Sequence, residues 1–470
     1  MSPPPSSAEF ATEREPRLRL LIPLMVATGF LMEQLDTTII TTAVPDMARS
    51  LHAGAVQMNV AVSAYVLTLA VFIPLSSWCA DRFGARRVFI AALAMFTLGS
   101  MLCGLADSLP ELVAMRVLQG LGGAMMTPVG RLILLRSFPR RELVRAMTYT
   151  TLPALIGPVL GPLLGGALTT YFSWRWIFAV NVPFGLLGIE LARRYLRDSE
   201  HDRGARFDVV GFVLFGGGVA LLQGTLEASA QRGAALPLLA AAAALLLAFG
   251  YHARRRREAV VDLSLFRERA FAIGTLAGGL CRIAMNGAAF VLPLTLQLGL
   301  GLSPLQSGSL TFATALGSPL IRVALGPLLR RLGFTRLLAV SALAGSAALA
   351  GFAMLDAAWS HWMIIGYIVG FGMVRSTQFM SSNTLSYADL EAERLSRATS
   401  LGGLLQQLTV SFGVSLGAAL LARLAAGHAP VLADFHLTFV LLALLPLLAL
   451  PGFARLQPGD GAQVSGYRPR

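Results

Sequence analysis

Apolar runs of about 20 residues recur along this chain from Leu20 to Phe453, separated by short polar stretches rich in arginine, glycine and proline. A run of that length crosses a ~30 Å hydrocarbon core as a helix. Setting the runs against their breakers predicts spans near 20–46, 56–79, 88–106, 110–136, 146–171, 175–196, 208–227, 234–253, 271–297, 303–329, 336–356, 360–385, 397–422 and 436–454. The pattern therefore predicts an all-α integral membrane protein with fourteen spans. Residues 1–19 are polar and Pro/Ser-rich and read as a disordered cytoplasmic tail. They are no signal peptide, because the apolar run that follows is too long and ends in no small-residue cleavage site.

Composition narrows the chemistry. Of 470 residues 55% are hydrophobic and 13% charged, against roughly 25% charged in a soluble domain. All 38 basic residues are arginine. Without lysine there is no GK[ST] phosphate loop and no Schiff-base amine, so uphill work must draw on a gradient or a partner. Cys79, Cys103 and Cys281 fall in or beside apolar spans at unrelated spacings, and the six histidines are scattered, which argues against a metal site or a disulfide framework. No cofactor is expected, only a proton gradient.

The net charge of +13 is explained by where the arginines lie. With the amino terminus inside, 29 fall in cytoplasmic tails and loops, four outside (Arg49, Arg175, Arg232, Arg423) and five within spans. That bias follows the positive-inside rule and predicts both termini in the cytoplasm. Anionic lipid and topology account for Arg254–Arg257, so nucleic acid is not an expected partner. No outer loop is long enough to fold as a receptor or enzyme domain.

The loops after spans 2 and 10 resemble one another. Arg82 and Arg331, Gly84 and Gly333, and Arg87 and Arg336 are each 249 positions apart. Two six-span halves in parallel repeat, with two spans inserted between them, would produce this offset, and such halves are a known transporter plan. The predicted organisation is a tail (1–19), an N-terminal half (20–196), two inserted helices (197–257), a C-terminal half (258–456) and a second cytoplasmic tail (457–470). Span 8, with LLAAAAALLLA, carries no polar residue to line a pathway and reads as lipid-facing.

Four motifs now make the pattern specific. Span 1 holds Leu35-Asp36-Thr37-Thr38-Ile39-Ile40-Thr41-Thr42-Ala43-Val44-Pro45, similar to LDxTIVNxAxP. The loop after span 2, Asp81-Arg82-Phe83-Gly84-Ala85-Arg86-Arg87, is similar to the end of GxLADRxGRR. Span 4 has Arg116-Val117-Leu118-Gln119-Gly120-Leu121-Gly122-Gly123-Ala124, similar to RxxQGxGAA, and span 5 has Gly157-Pro158-Val159-Leu160-Gly161-Pro162-Leu163-Leu164-Gly165-Gly166, similar to GPxLGPxxGG. Trp174-Arg175-Trp176-Ile177-Phe178 with Asn181 and Pro183 fits the same family's turn into span 6. Over nearly its whole length the sequence resembles the fourteen-span drug:proton antiporters of the major facilitator superfamily. The resemblance implies two six-helix halves in parallel pseudo-repeat plus two central helices. It also implies proton-coupled export of an amphipathic organic compound by alternating access, and the all-arginine, Ala/Leu/Gly-rich usage suggests a bacterial inner membrane. Partners would be the small-molecule substrate, protons and the bilayer, with a periplasmic adaptor and outer-membrane channel as an allowed addition.

Roles follow residue by residue. Asp36 and Glu33 lie about 60° apart on span 1, and a carboxylate at that depth must be paired, wetted or protonated; the resemblance makes Asp36, with Arg116, a proton-coupling group, and Glu33, outside the motif, joins them by its place one turn before Asp36. The resemblance makes the glycines and prolines of span 5 (Gly157, Pro158, Gly161, Pro162, Gly165, Gly166) a gate. It makes Asp81, Arg82, Gly84, Arg86 and Arg87 a cytoplasmic latch. Ser77 and Thr41 depart from the family pattern, and Arg330 replaces the latch acid in the second half. Arg282, Arg322 and Arg375 sit inside apolar runs of spans that line the cavity in the family. With Arg116 they make four intramembrane arginines against two acids, an excess that favours a substrate with an anionic group. Glu33, Asn286, Gln378, Gln406 and Gln407 complete the expected substrate contacts. Two alternatives remain at this stage: a proton symporter for uptake of an organic acid, and a non-transporting membrane scaffold.

Overall fold

The computed structural model describes residues 18–138, 140–196, 207–228, 235–256, 261–425, 428–457 and 459–465. Most of the predicted amino-terminal tail, and residues 466–470 of the other, lie outside the described residues. What is described is helical: α1 Leu18–Ile39, α2 Asn59–Phe83, α3 Ala85–Leu105, α4 Leu109–Ser137, α5 Arg140–Tyr171, α6 Asn181–Tyr195, α7 Val209–Ala228, α8 Ala235–Arg255, α9 Arg269–Leu294, α10 Pro304–Gly351, α11 His361–Ala388, α12 Ala392–Ala425 and α13 Leu432–Phe453. Eleven helices among the described residues are long and apolar enough to cross a membrane. The expected fourteen is therefore met only in part. Predicted spans 10 and 11 run together in α10, α11 is long but too polar to qualify, and predicted span 5 lies partly outside the residues whose side chains are described.

Helix starts carry local signals. Ser108 accepts from the Glu111 N–H at 3.4 Å, and Ser303 forms a capping box with Gln306. Asp208 accepts from the Gly211 N–H at 3.0 Å ahead of α7. Each satisfies a donor that the helix itself leaves open.

The two loops related by 249 positions share a backbone as well as letters. Gly84, between α2 and α3, has φ 87°, and Gly333, inside α10, has φ 69°. Both occupy the left-handed region that favours glycine. Gly333 breaks α10 where the sequence predicts the loop between spans 10 and 11.

The chain divides into two compact units, residues 1–52 with 64–207, and residues 53–63 with 208–470. In the first, α1 packs on α5, α6 and α4, and α3 on α4 and α6. In the second, α9 is embraced by α11, α12 and α13, while α10 packs on α11 and α13. The helices of 208–257, expected as a separate insertion, group with this second unit. Burial separates them sharply: in the most apolar window of α8 only 11% of residues are buried, against 78% in α9. Low burial is what a lipid-facing helix requires, and α8 carries the polar-free stretch noted above. The start of the expected carboxyl-terminal tail is folded, for the Gly461 N–H donates to both oxygens of Asp389 at 3.0 and 3.1 Å.

Candidate functional site

The motifs of spans 1, 4 and 5 and the turn into span 6 converge on Asp36 and its helix. This residue is 1% exposed and Arg116 is fully buried. The Arg116 Nη1 donates to Asp36 Oδ2 at 2.6 Å and to Gln119 Oε1 at 2.7 Å. Gln119 Nε2 donates to Asp36 Oδ1 at 2.8 Å, and Asn181 Nδ2 reaches the same oxygen at 3.4 Å. Ser100 Oγ accepts from both amides at 3.1 and 3.0 Å and donates to the Phe178 carbonyl at 3.1 Å. The guanidinium lies 4.2 Å over the Tyr65 ring and 5.8 Å from that of Phe178. Both carboxylate oxygens therefore have donors, and the buried pair has the added hydrogen bonds that such a pair needs to offset its desolvation.

Small residues make this convergence possible. A methyl at Gly99 of α3 would lie 2.8 Å from the Gln119 backbone, and one at Gly122 of α4 would overlap Ala92 and Phe96 of α3. Side chains there would push α3 and α4 apart and carry Gln119 away from Ser100. The span 5 motif acts likewise on α1. A methyl at Gly157 would sit 2.8 Å from the Leu35 backbone N, and ones at Gly161 and Gly165 would collide with Thr38 and with Ile39 and Thr42. Thr38 Oγ1 donates to the Gly157 carbonyl at 3.2 Å. The observed contacts of these glycines seat α5 directly on the helix that carries Asp36. Gly166 is buried on the same helix, and Pro158 and Pro162 are half-buried.

Glu33, 7% exposed, accepts a hydrogen bond from the Thr127 hydroxyl of α4. Arg131, one turn beyond Thr127, lies 5.9 Å from the Phe30 ring. At the cytoplasmic end of α2, Asp81 pairs with Arg136 of α4 at 3.0 Å, and Arg86 donates to the Arg193 carbonyl at 2.9 Å. The residue that meets the latch acid is thus outside the predicted set. Arg82 and Arg87 are both exposed. Across the unit, Arg175 stacks 4.5 Å from the Trp174 ring and pairs with Asp107 at 2.9 Å.

The second unit is differently charged. Arg375 of α11 donates to Asn286 Oδ1 of α9 at 3.2 Å. Arg282, one turn before Asn286, lies 5.0 Å over the ring of Phe379, one turn after Arg375. Gln378 is fully buried; it accepts from Ser341 of α10 and donates to Ser382 at 3.4 Å, so its amide holds α11 to α10. Arg322 is exposed on α10 beside Leu320 and Val323, away from this pair of helices. Gln406 and Gln407 are half-buried on α12.

Sequence reasoning overlooked several partners. Ser100 and Tyr65 are ordinary letters in apolar spans, with no signal of their own. Gln119 and Asn181 were visible as motif letters without a role. Glu227, half-buried and one residue before the end of α7, accepts from Ser63 at 2.8 Å and from Gln223 at 3.2 Å, while Gln223 also donates to Ser415 of α12. All three cysteines are free and buried, and no metal-binding cluster is found among the described residues. A cavity of about 300 Å³ opens between Arg269, Asp389 and Asp460, and no predicted site residue lines it.

Comparison with known proteins places this geometry. The chain is 40% identical over 436 residues to a Pectobacterium carotovorum protein named multidrug resistance protein MdtD, covering 91% of this chain and 93% of that one. A Cronobacter sakazakii protein of the same name is 40% identical over 448 residues, covering 93% and 94%. Among solved structures, an auto-inhibited POT family peptide transporter superposes with TM-score 0.69 at 17% identity, covering 97% of this chain and 99% of that one. A bacterial homologue of the lysosomal transporter Spinster gives 0.65 at 17%, covering 93% and 97%. These structural likenesses speak for the fold. Residues 26–414 match the description Major Facilitator Superfamily. The chain belongs to that superfamily: it is a multi-pass membrane transporter of small molecules and not an enzyme.

Proposed function

We propose that this protein exports amphipathic organic compounds across a bacterial inner membrane in exchange for protons, with fourteen spans and both termini in the cytoplasm. The observation that carries the reading is the closed Asp36–Arg116–Gln119–Asn181 network. It links α1, α3, α4 and α6 through one titratable group. A proton taken up by Asp36 would strip Arg116 of its carboxylate and remove an acceptor from two amides. Buried donors tolerate such a loss poorly, so proton uptake there becomes a reason for the helices to repack. Glu33 lies three residues before Asp36, a rise of about 4.5 Å toward the predicted cytoplasmic side. It serves as the second carboxyl on the proton's path. The glycine seat of α5 on α1 transmits movement of α1 to α5. The name shared by the MdtD relatives supports drug-like cargo. No observation favours uptake over export.

The test uses purified protein in proteoliposomes with an imposed pH gradient. A panel of cationic, neutral and acidic amphiphiles is scored for substrate-induced proton movement in wild type, Asp36→Asn and Glu33→Gln. Proton movement that disappears in Asp36→Asn and slows in Glu33→Gln is the expected result. Substrate flux that continues without proton movement, or coupling that survives Asp36→Asn, overturns the reading.

A further inference from the structure

The second unit holds positive charge at membrane depth without the carboxylate that such charge ordinarily requires. Helices α9, α10 and α11 contain no aspartate or glutamate. Glu227, one residue before the end of α7, is occupied by Ser63 and Gln223. Arg282 is only 6% exposed. Its Nε and Nη2 are buried and have no hydrogen-bond partner among the described residues. Those two atoms form one edge of the guanidinium, the fork that takes a carboxylate through two parallel hydrogen bonds. The face of the same group is already used, stacked over Phe379. One turn along, the Asn286 oxygen is the single acceptor that either Arg282 or Arg375 finds among the described residues.

A buried cation left in this condition is costly, and proteins keep one at membrane depth where a ligand or pathway needs it. We propose that Arg282 and Arg375 are the anion-recognising part of a substrate site on α9 and α11. The exported compound then carries a carboxylate or a similar planar oxyanion beside an aromatic or apolar body. Arg282 supplies the two-pronged fork, Arg375 a second charge steered by Asn286, and Phe379 an aromatic surface. This rests on the export reading for its direction of transport, and not for the binding itself. It also narrows the sequence-based set, since Gln378 is spent on helix packing and Arg322 lies elsewhere.

The experiment reads binding without a gradient, so its outcome is independent of proton coupling. Full-length protein in nanodiscs is titrated with 2-naphthoate and benzoate, with their uncharged amides, and with chloride and phosphate. Binding is followed by calorimetry and thermal unfolding. An acid is expected to bind and to raise the unfolding temperature where its amide does not. Its Kd should rise at least about tenfold in Arg282→Gln and in Arg375→Gln, the scale of one charge-assisted contact, and stay unchanged in Arg455→Gln. Arg282→Lys, which keeps the charge and loses the fork, should recover only part of the affinity.

A second readout separates this role from a structural one. Removing a buried cation whose edge meets no acceptor should leave the unliganded unfolding temperature of Arg282→Gln equal to wild type or higher. An unliganded Arg282→Gln that unfolds earlier shows an arginine needed for packing and overturns the proposal. So does an acid that binds no better than its amide, or equal stabilisation by chloride or phosphate, which would make the occupant an inorganic counter-ion. Acid binding without coupled transport would sink the export reading and leave this site standing; coupled export of cationic compounds with no acid binding would do the reverse.

Discussion

Each unit of this transporter places arginine inside a helix bundle, and the two treat it in opposite ways. In the first, Arg116 meets a carboxylate at 2.6 Å and an amide at 2.7 Å, and its face is covered by Tyr65. In the second, Arg282 has a ring on its face and no acceptor on its edge, and Arg375 has one neutral oxygen. In the first arrangement the arginine's charge is met by a carboxylate of the chain itself, and that pair can respond to a proton. In the second no carboxylate among the described residues meets the charge, which is the condition of a group that waits for an outside partner. Similar letters in similar helices thus serve coupling in one place and recognition in the other.

The largest expected effect tests whether the first network is as self-contained as this contrast requires. Asp36→Ala leaves Arg116 buried beside neutral amides and should cost about 3–5 kcal/mol, the scale for breaking a buried pair from one side. Denaturant or thermal unfolding in detergent measures it. Adding Arg116→Met should restore much of that stability while transport stays lost; if the double variant is no more stable than the single, the pair is not the unit described here. Gly157→Ala should follow at roughly 1–3 kcal/mol, because the methyl meets α1 backbone and no side chain can move aside. Unfolding and transport should fall together in this variant.

Asn286→Asp turns the second unit into a likeness of the first by handing Arg375 a carboxylate of the same shape. We expect a gain of about 1 kcal/mol, the difference between a neutral and a charge-assisted hydrogen bond, and weaker binding of acidic probes. A variant that is stabilised and still binds 2-naphthoate like wild type would blunt the contrast between the units. The smallest effect belongs to Asp81→Asn. Its pair with Arg136 is 46% and 35% exposed, so screening keeps the stability change below about 1 kcal/mol, whatever its effect on transport rate.

Much of the fold was legible because membrane spans are written in long apolar runs and loops in arginine. The places where the reading slipped have physical causes. Predicted spans 10 and 11 fuse because a single left-handed glycine, with helical residues on both sides, is all that separates them. Span 12 falls short on apolarity because α11 carries Arg375, Gln378 and a run of serines.

The site was legible to the extent that its chemistry is charged. Asp36 and Arg116 stand out because ionised groups are rare at depth. Ser100 and Tyr65 pass unnoticed because hydroxyls are common in membrane helices. Arg136 was hidden for the opposite reason, since an arginine at a cytoplasmic helix end needs no explanation beyond topology. Spacing could not tell which of Arg282, Arg322 and Arg375 point into the bundle. Burial distinguishes them: the first is closed in, the last half-buried, and Arg322 exposed.

The paired turns at Gly84 and Gly333 bear on ancestry. Between the two copies the acid of the first, Asp81, has given way to Arg330, while the left-handed glycine stands at the same offset in both. Charge at that loop has been free to diverge, and the backbone bend has not. A duplicated half would behave this way if its descendants needed the same corner but not the same lock, each helix pair inheriting its angle and acquiring its own fastening.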